Sequence, residues 1–326
     1  MQRIKVGHCY SDLCVINRGV PHGSGLGPLL FNIFLNDMFF LNIDSSIVNY
    51  ADDNHLCNRN QSLDTLVNIL NRDTNTSIEW FDNNLMKSNA DKFQGMILSR
   101  DGPVNVTFEI QNYSIKSQHN MKTLGVLIDD SLKFNDHIKN ICSRASGQVN
   151  ALKRLSCFLN ESRRLNIYVS FVNANFNYCP LSWIFCGKTN ADKLEKLQER
   201  ALKFVYNDYT SDYAALLSKC NLLSLSMTRL KLLCIEVYKC MNGQNPEYLN
   251  NMFHTKTIPY GLRDSSRCSQ HRWGTKSYGF KSFRYYGSKV WNSIPVDIKN
   301  SSSLDDFKTK IHKWCHSPKA KSLEIF

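Results

Sequence analysis

Apolar positions switch between a period of two and helical spacing over the first 130 residues, then keep helical spacing for most of the remainder. Ile4, Val6, Leu13 and Val15 alternate with polar residues, which predicts a hairpin over residues 2–18 with Asp12 in its turn. Gly19 to Gly27 is a glycine-rich turn. Pro28 stands where a first helical residue tolerates proline, and Leu29, Leu30, Ile33, Phe34 and Met38 share one face of the helix expected after it. The run Ile47-Val48-Asn49-Tyr50 is strand-like, and Leu56-Cys57 resumes it after a polar break, so a β-hairpin is predicted with Asp52 and Asp53 at its tip. Leu63, Leu66, Val67, Leu70, Ser77, Ile78 and Phe81 predict a long helix from about Ser62, and short strands are expected around Met96-Ile97-Leu98 and Val104–Phe108. Beyond Phe134 the stripes are helical: Ile138, Ile141, Ala145, Val149, Leu152 and Leu155, then Leu194, Leu197, Ala201 and Phe204, then Leu225, Leu232, Ile235 and Val237. The pattern predicts an α+β chain whose second half is mainly helical. No internal repeat or low-complexity tract occurs.

Chemistry concentrates at the Asp52-Asp53 tip. Along a regular strand, adjacent side chains point to opposite faces. A tight turn breaks that alternation and lets two neighbouring carboxylates approach one ion. Two carboxylate donors make a hard site suited to Mg²⁺, or to Mn²⁺ in its place, and such ions serve nucleotidyl transfer. Asp is also a common residue of solvated turns, so the pair alone decides nothing.

Its context does. Gly19-Val20-Pro21-His22-Gly23-Ser24-Gly25-Leu26-Gly27-Pro28 and Tyr50-Ala51-Asp52-Asp53 together resemble the reverse transcriptases of non-LTR, LINE-type retrotransposons, of the jockey-like and CR1-like kind. Downstream, Trp80-Phe81, Asn84-Leu85 and Asn89-Ala90-Asp91-Lys92 resemble the helix, loop and palm lysine that follow the metal-binding hairpin. Leu124-Gly125-Val126-Leu127-Ile128-Asp129 resembles the primer-gripping hairpin, and Phe134-Asn135-Asp136-His137-Ile138 resembles the start of the thumb. Looser tail motifs are Leu197-Gln198-Glu199-Arg200-Ala201 and Gly287-Ser288-Lys289-Val290-Trp291-Asn292-Ser293-Ile294-Pro295.

The resemblance implies a C-terminal fragment of a right-hand reverse transcriptase fold, lacking fingers and the first palm strand. It implies a partial palm over residues 1–130, a helical thumb-like region over 131–210, and a helical, then basic and aromatic-rich, C-terminal region over 211–326. It implies RNA-directed DNA polymerase chemistry, with an RNA template, a DNA primer and deoxynucleotides as partners and Mg²⁺ or Mn²⁺ as cofactor. Asp52 and Asp53 would be metal ligands, and Lys92 would stand near the leaving phosphates. Gly19, Pro21, His22, Gly23 and Ser24 would face template and nucleotide, with Tyr50 packed under the hairpin near the primer end. Leu124, Gly125 and Val126 would grip the primer. Two departures bear on the nucleotide pocket. His22 stands where the family has Gln, whose amide donates and accepts on one edge, and Gly25 replaces an aliphatic residue. The family's third metal carboxylate lies on a strand well upstream of the Gly-Val-Pro stretch, and no acid before Gly19 fits it. The chain is therefore expected to show little polymerase activity alone. Alternatives are a non-catalytic nucleic-acid-binding protein and an inert remnant of a mobile element.

Charge favours a polyanionic partner: net charge is +12, with a pI of about 9.1. Residues 254–326 hold 14 Lys and Arg against 5 Asp and Glu, including Arg263, Arg267 and Arg272, expected phosphate contacts. Tyr278, Phe280, Phe283, Tyr285 and Tyr286 are interleaved with these bases, either to stack on nucleobases or to pack inward under a solvated basic surface. The 12 cysteines form no Cys-x-x-Cys and suit free thiols in a reducing compartment inside the cell. Cys268, His271, His312 and Cys315 have zinc-ligand chemistry, but the gap between the two pairs is long. No run is apolar enough to predict a membrane span.

Overall fold

The computed structural model describes all residues except 2, 16–18, 20–22, 256–266, 271–273, 276–277 and 324–326. It divides into two compact units, Met1–Met121 and Lys122–Phe326. Helices and four separate two-stranded sheets make the chain α+β among the described residues.

The first unit opens with β1 (Lys5–Val6) and β2 (Cys9–Tyr10), which pair antiparallel. Their turn is Gly7-His8, with Gly7 at φ 62°, so Asp12 follows the hairpin rather than lying in its turn. Glycine supplies the left-handed turn without steric cost, and that choice moves the reversal five residues upstream of the expected one. Helix α1 (Gly27–Leu35) carries Pro28 in its first turn and runs into a 3-10 turn at Asn36–Phe40. Leu35 and Met38 are buried, whereas Leu29, Leu30 and Ile33 of the expected apolar face are exposed. The strands β3 (Ser46–Tyr50) and β4 (Asp53–Cys57) follow.

Helix α2 (Leu63–Asn83) begins where Ser62 accepts the Thr65 N–H at 3.3 Å, the ordinary N-cap device. It ends with Leu85 in the left-handed region at φ 58° and the Met86 N–H bonded to the Phe81 carbonyl. Its apolar stripe packs on the hairpin β5 (Thr107–Ile110) and β6 (Tyr113–Lys116), burying Ile78, Phe108 and Ile110 with Ile97. The Asn71 and Asn75 side chains accept the backbone N–H groups of Glu109 and Gln111. Ile97 is buried, yet Met96–Leu98 forms no strand. Gly95 explains the close approach there, since a Cβ would stand 2.4 Å from the Phe108 ring. The segment is held by side-chain packing rather than by a ladder.

β7 (Asn120–Thr123) and β8 (Val126–Asp129) form the fourth hairpin, with the unit boundary inside β7. In the second unit, Asp129 organises entry into α3 (Asn135–Leu155). Its carboxylate accepts from Ser131, from the Lys133 N–H at 3.0 Å and from the Phe134 N–H. These bonds hold Phe134 in the left-handed conformation that starts the helix. α4 (Glu161–Ile167), a π-turn at Tyr168–Val172 and α5 (Asn173–Asn177) lead to α6 (Lys188–Tyr206). Ile138, Ala145, Val149 and Leu152 of α3 share a core with Leu194, Ala201 and Val205 of α6, around Tyr168 and Trp183.

After α7 (Tyr213–Lys219), α8 (Leu225–Met241) runs through a second core. Glu195 of α6 accepts the first N–H groups of α8, from Leu225 and Ser226, so a carboxylate meets the positive end of the helix. α9 (Glu247–Asn250), α10 (Phe283–Ser293), α11 (Val296–Lys299), α12 (Leu304–Trp314) and α13 (Pro318–Lys321) complete the chain. Val290 and Trp291 of α10 and Phe307 and Ile311 of α12 are buried with Leu230, Leu233 and Val237 of α8. Phe307 stacks on Tyr238 at 4.2 Å. Within the basic C-terminal stretch, α10 and α12 are therefore part of a core. No helix among the described residues is long and apolar enough to cross a membrane.

Candidate functional site

The acidic pair lies at the hairpin tip. β3 pairs with β4 in the register Ser46↔Cys57, Val48↔His55 and Tyr50↔Asp53, leaving a two-residue turn of Ala51 and Asp52. Ala51 takes φ 53°, a conformation an L-residue adopts at a cost of about 1–2 kcal/mol. Two asparagines lock the turn from behind. The Asn49 side-chain amide donates to the Ala51 carbonyl at 2.9 Å and to Asn54 Oδ1 at 2.7 Å, and the Asn54 amide donates to the Asp52 carbonyl at 3.2 Å. Both carboxylates are exposed. Among the described residues neither takes part in an ion pair or a side-chain hydrogen bond. They are free to accept a cation.

Directly opposed residues share a face, so Asp53 stands beside Tyr50, which is 65 % exposed. Tyr50 thus flanks the tip instead of packing beneath it: Ile47 and Leu56, on the other face, take the more sheltered positions. Two carboxylates fit one hard divalent ion that keeps most of its shell as water. Among the described residues no group of three or more His, Cys, Asp or Glu side chains is placed to hold a metal.

The other expected site residues fall on separate elements. Gly19 and Gly23 have φ of 88° and 82°, and the Ser24 hydroxyl accepts the Gly27 N–H at 3.2 Å, tying the turn to α1. Pro21 and His22 lie outside the described residues, as do Arg263 and Arg272. Arg267 is exposed. Lys92 is exposed at the end of a 3-10 turn at Ala90–Lys92, capped by Asn89, and no hydrogen bond or ion pair joins it to the acidic hairpin. Leu124 and Gly125 form the β7–β8 turn at φ 46° and 84°, and Val126 is buried. Tyr178 closes over this turn. Its hydroxyl donates to the Leu124 carbonyl at 2.6 Å, and its ring lies 3.4 Å from where a Cβ on Gly125 would stand. Tyr178 escaped the sequence reading because it sits 54 residues further along the chain, with no local signal to connect the two.

Among the described residues, Cys268, His312 and Cys315 belong to no group placed to hold a metal. Cys315 is fully buried in the α8–α12 core, where burial pushes its thiol up to about 12, far from the thiolate a metal requires. The Cys268 backbone is bonded to Asn292, His312 packs against His316, and His271 lies outside the described residues.

Comparison with known proteins gives a family match over the stretch that contains the hairpin. Residues 5–128 match the family described as reverse transcriptase (RNA-dependent DNA polymerase). Similar proteins include a probable RNA-directed DNA polymerase from transposon BS of Drosophila melanogaster, 26 % identical over 215 residues, covering 62 % of this chain and 24 % of that protein. The RNA-directed DNA polymerase from mobile element jockey of Drosophila funebris is 27 % identical over 208 residues, 60 % of this chain and 22 % of its own length. The chain is thus similar to LINE-type reverse transcriptases. The probable RNA-directed DNA polymerase from transposon X-element of Drosophila melanogaster is also similar, at 26 % over 199 residues, 57 % of this chain and 21 % of that protein. The chain spans about a quarter, or less, of the length of these curated relatives. No solved structure matches it.

Proposed function

We propose that the chain is the palm-and-thumb portion of an RNA-directed DNA polymerase, with the partial palm over residues 1–130, the thumb over 131–210 and the C-terminal region over 211–326. The observation that carries this reading is the Asp52-Asp53 pair at a locked hairpin tip, inside the stretch that matches the reverse transcriptase family. Asp52 and Asp53 are its metal carboxylates, and Mg²⁺ or Mn²⁺ bound there supplies charge stabilisation for nucleotidyl transfer. Gly19 to Ser24 gives the backbone close access to template and incoming nucleotide, because glycine has no Cβ to obstruct it. Lys92 offers a charge to the leaving phosphates. The Leu124-Gly125-Val126 turn, braced by Tyr178, meets the primer. RNA template, DNA primer and deoxynucleotides are the substrates.

Two carboxylates do not by themselves make a two-metal clamp, and the described residues gather no third near them. The chain alone therefore leaves a primed RNA template unextended. Supplying a polypeptide that carries the missing metal carboxylate restores extension, and Asp52→Asn abolishes it again. Robust extension by the 326-residue chain alone contradicts the incomplete-site reading. Restored extension that survives Asp52→Asn contradicts the assignment of the pair.

A further inference from the structure

Helix α1 has two apolar sides, and one of them stands open. Gly27 and Leu35 are buried and Phe31 is half-buried, a set that recurs every fourth residue along the sheltered side. Leu26, Leu29, Leu30 and Ile33 fall at i, i+3, i+4 and i+7, the spacing of a core-facing stripe, yet they are 53 % to 66 % exposed. Phe34 extends the stripe, and Phe39 and Phe40 follow it in the 3-10 turn that continues the helix; all three are exposed as well. Asn32 is the only polar side chain within α1. A helix that is apolar all round is normally enclosed. Here the side that the sequence marks as core-facing is uncovered among the described residues.

The patch itself narrows what can cover it. From Gly19 to Asn36 the sequence contains no Lys, Arg, Asp or Glu, in a chain of net charge +12. A surface without cations is poorly suited to nucleic acid or to an anionic membrane. Two copies of so basic a chain repel one another over most of their surface, and at this stretch they can meet without opposing charges. The seven large side chains from Leu26 to Phe40, each presenting on the order of 100 Å² to solvent, approach the ~800 Å² per partner of a standard interface. The stripe is also self-complementary. In an antiparallel pair of α1 helices centred on Leu30, Leu26 of one copy meets Phe34 of the other, as a two-fold axis requires.

We propose that the open side of α1 is a homodimer interface, in which the Leu26, Leu29, Leu30 and Ile33 stripe packs against the same stripe of a second copy of this chain across a two-fold axis. The contact is apolar packing within the first unit. It stands whether or not the hairpin carboxylates hold a metal, and whether or not the chain extends a primer.

Sedimentation equilibrium of the full chain over micromolar concentrations is the test. The parent chain is expected to follow a monomer–dimer equilibrium with a dissociation constant in the micromolar range. Leu30→Glu sets two carboxylates against each other at the axis and should weaken the dimer about a hundredfold or more. Leu30 is exposed in the single chain, so this variant should keep the parent's melt by circular dichroism. Leu30→Lys should be equally weak alone. An equimolar mixture of Leu30→Glu with Leu30→Lys should dimerise more tightly than either, because opposite charges then face across the contact. Phe158→Glu, at an 80 % exposed side chain of the second unit, controls for general apolar association and should leave the constant unchanged. A parent chain that stays monomeric overturns the proposal and leaves the face to a different partner. Association that Leu30→Glu does not weaken lies elsewhere on the molecule, and equal weakening by Phe158→Glu assigns it to nonspecific contact; either result overturns the proposal, as does a mixture that gains nothing.

Discussion

Asp73 shows how a single carboxylate sets the acidic hairpin in place. It is fully buried on α2 and accepts the Asp44 N–H at 3.0 Å and the Ser45 N–H at 2.7 Å, just before β3 begins. Arg72 bonds the same carboxylate at 2.7 Å. Burial raises the Asp73 pKa, but the hydrogen bonds from Ser45 and Arg72 outweigh it, and the net shift is downward. A folded-state pKa below the unfolded value of about 3.9 means stability that is present above that pH and is lost as pH falls through the folded pKa. Asp73→Asn should cost about 1–3 kcal/mol near neutral pH. The gap from the parent chain should narrow progressively below about pH 4. Urea melts of both proteins from pH 7 to pH 2 measure this; a gap independent of pH would mean that the charge of Asp73 does not matter. Nothing near Asp73 in the sequence announces this role, because its partners lie 28 and 29 residues away.

At the level of elements, what could be read in the sequence follows from how local the determinants are. α2 was legible from a stripe at helical spacing and a Ser N-cap, both contained in the helix itself. The acidic hairpin was legible for the same reason: apolar runs flank a two-residue break, and the register does the rest. The stripe of α3 is buried as expected except for Leu155, which is 46 % exposed at its C-terminal end. The stretch Met96–Leu98 misled because a buried apolar triplet is compatible with packing against Phe108 as well as with a ladder. The C-terminal aromatics divide: Tyr286 is buried and donates to the Leu323 carbonyl, while Tyr278 is 38 % exposed. Since α10 and α12 fill the core around α8, removing residues 254–326 should unfold that core rather than trim a binding tail. Burying one large apolar side chain contributes about 1.5–3 kcal/mol, and this segment buries Val290, Trp291, Phe307 and Ile311 together. The truncated chain should lose cooperative melting by circular dichroism. A cooperative transition matching the full chain would show that the segment is dispensable for folding.

Over the whole molecule, charge and family relationship point the same way while resting on different residues. The match to reverse transcriptases covers residues 5–128, whereas most of the +12 net charge belongs to residues 254–326. Family motifs made the Asp52-Asp53 tip legible. They left the bracing of the β7–β8 turn by Tyr178 unseen, because that tyrosine is distant in sequence. The central claim is that the hairpin tip is a metal-binding carboxylate pair. Paramagnetic broadening of backbone NMR signals during a Mn²⁺ titration tests it most directly. The expected result is weak binding, with a dissociation constant on the order of 10⁻⁴–10⁻³ M, broadening centred on Ala51 to Asn54, and loss of that broadening in Asp52→Asn. Tight binding that survives Asp52→Asn, or broadening centred elsewhere in the chain, would contradict it.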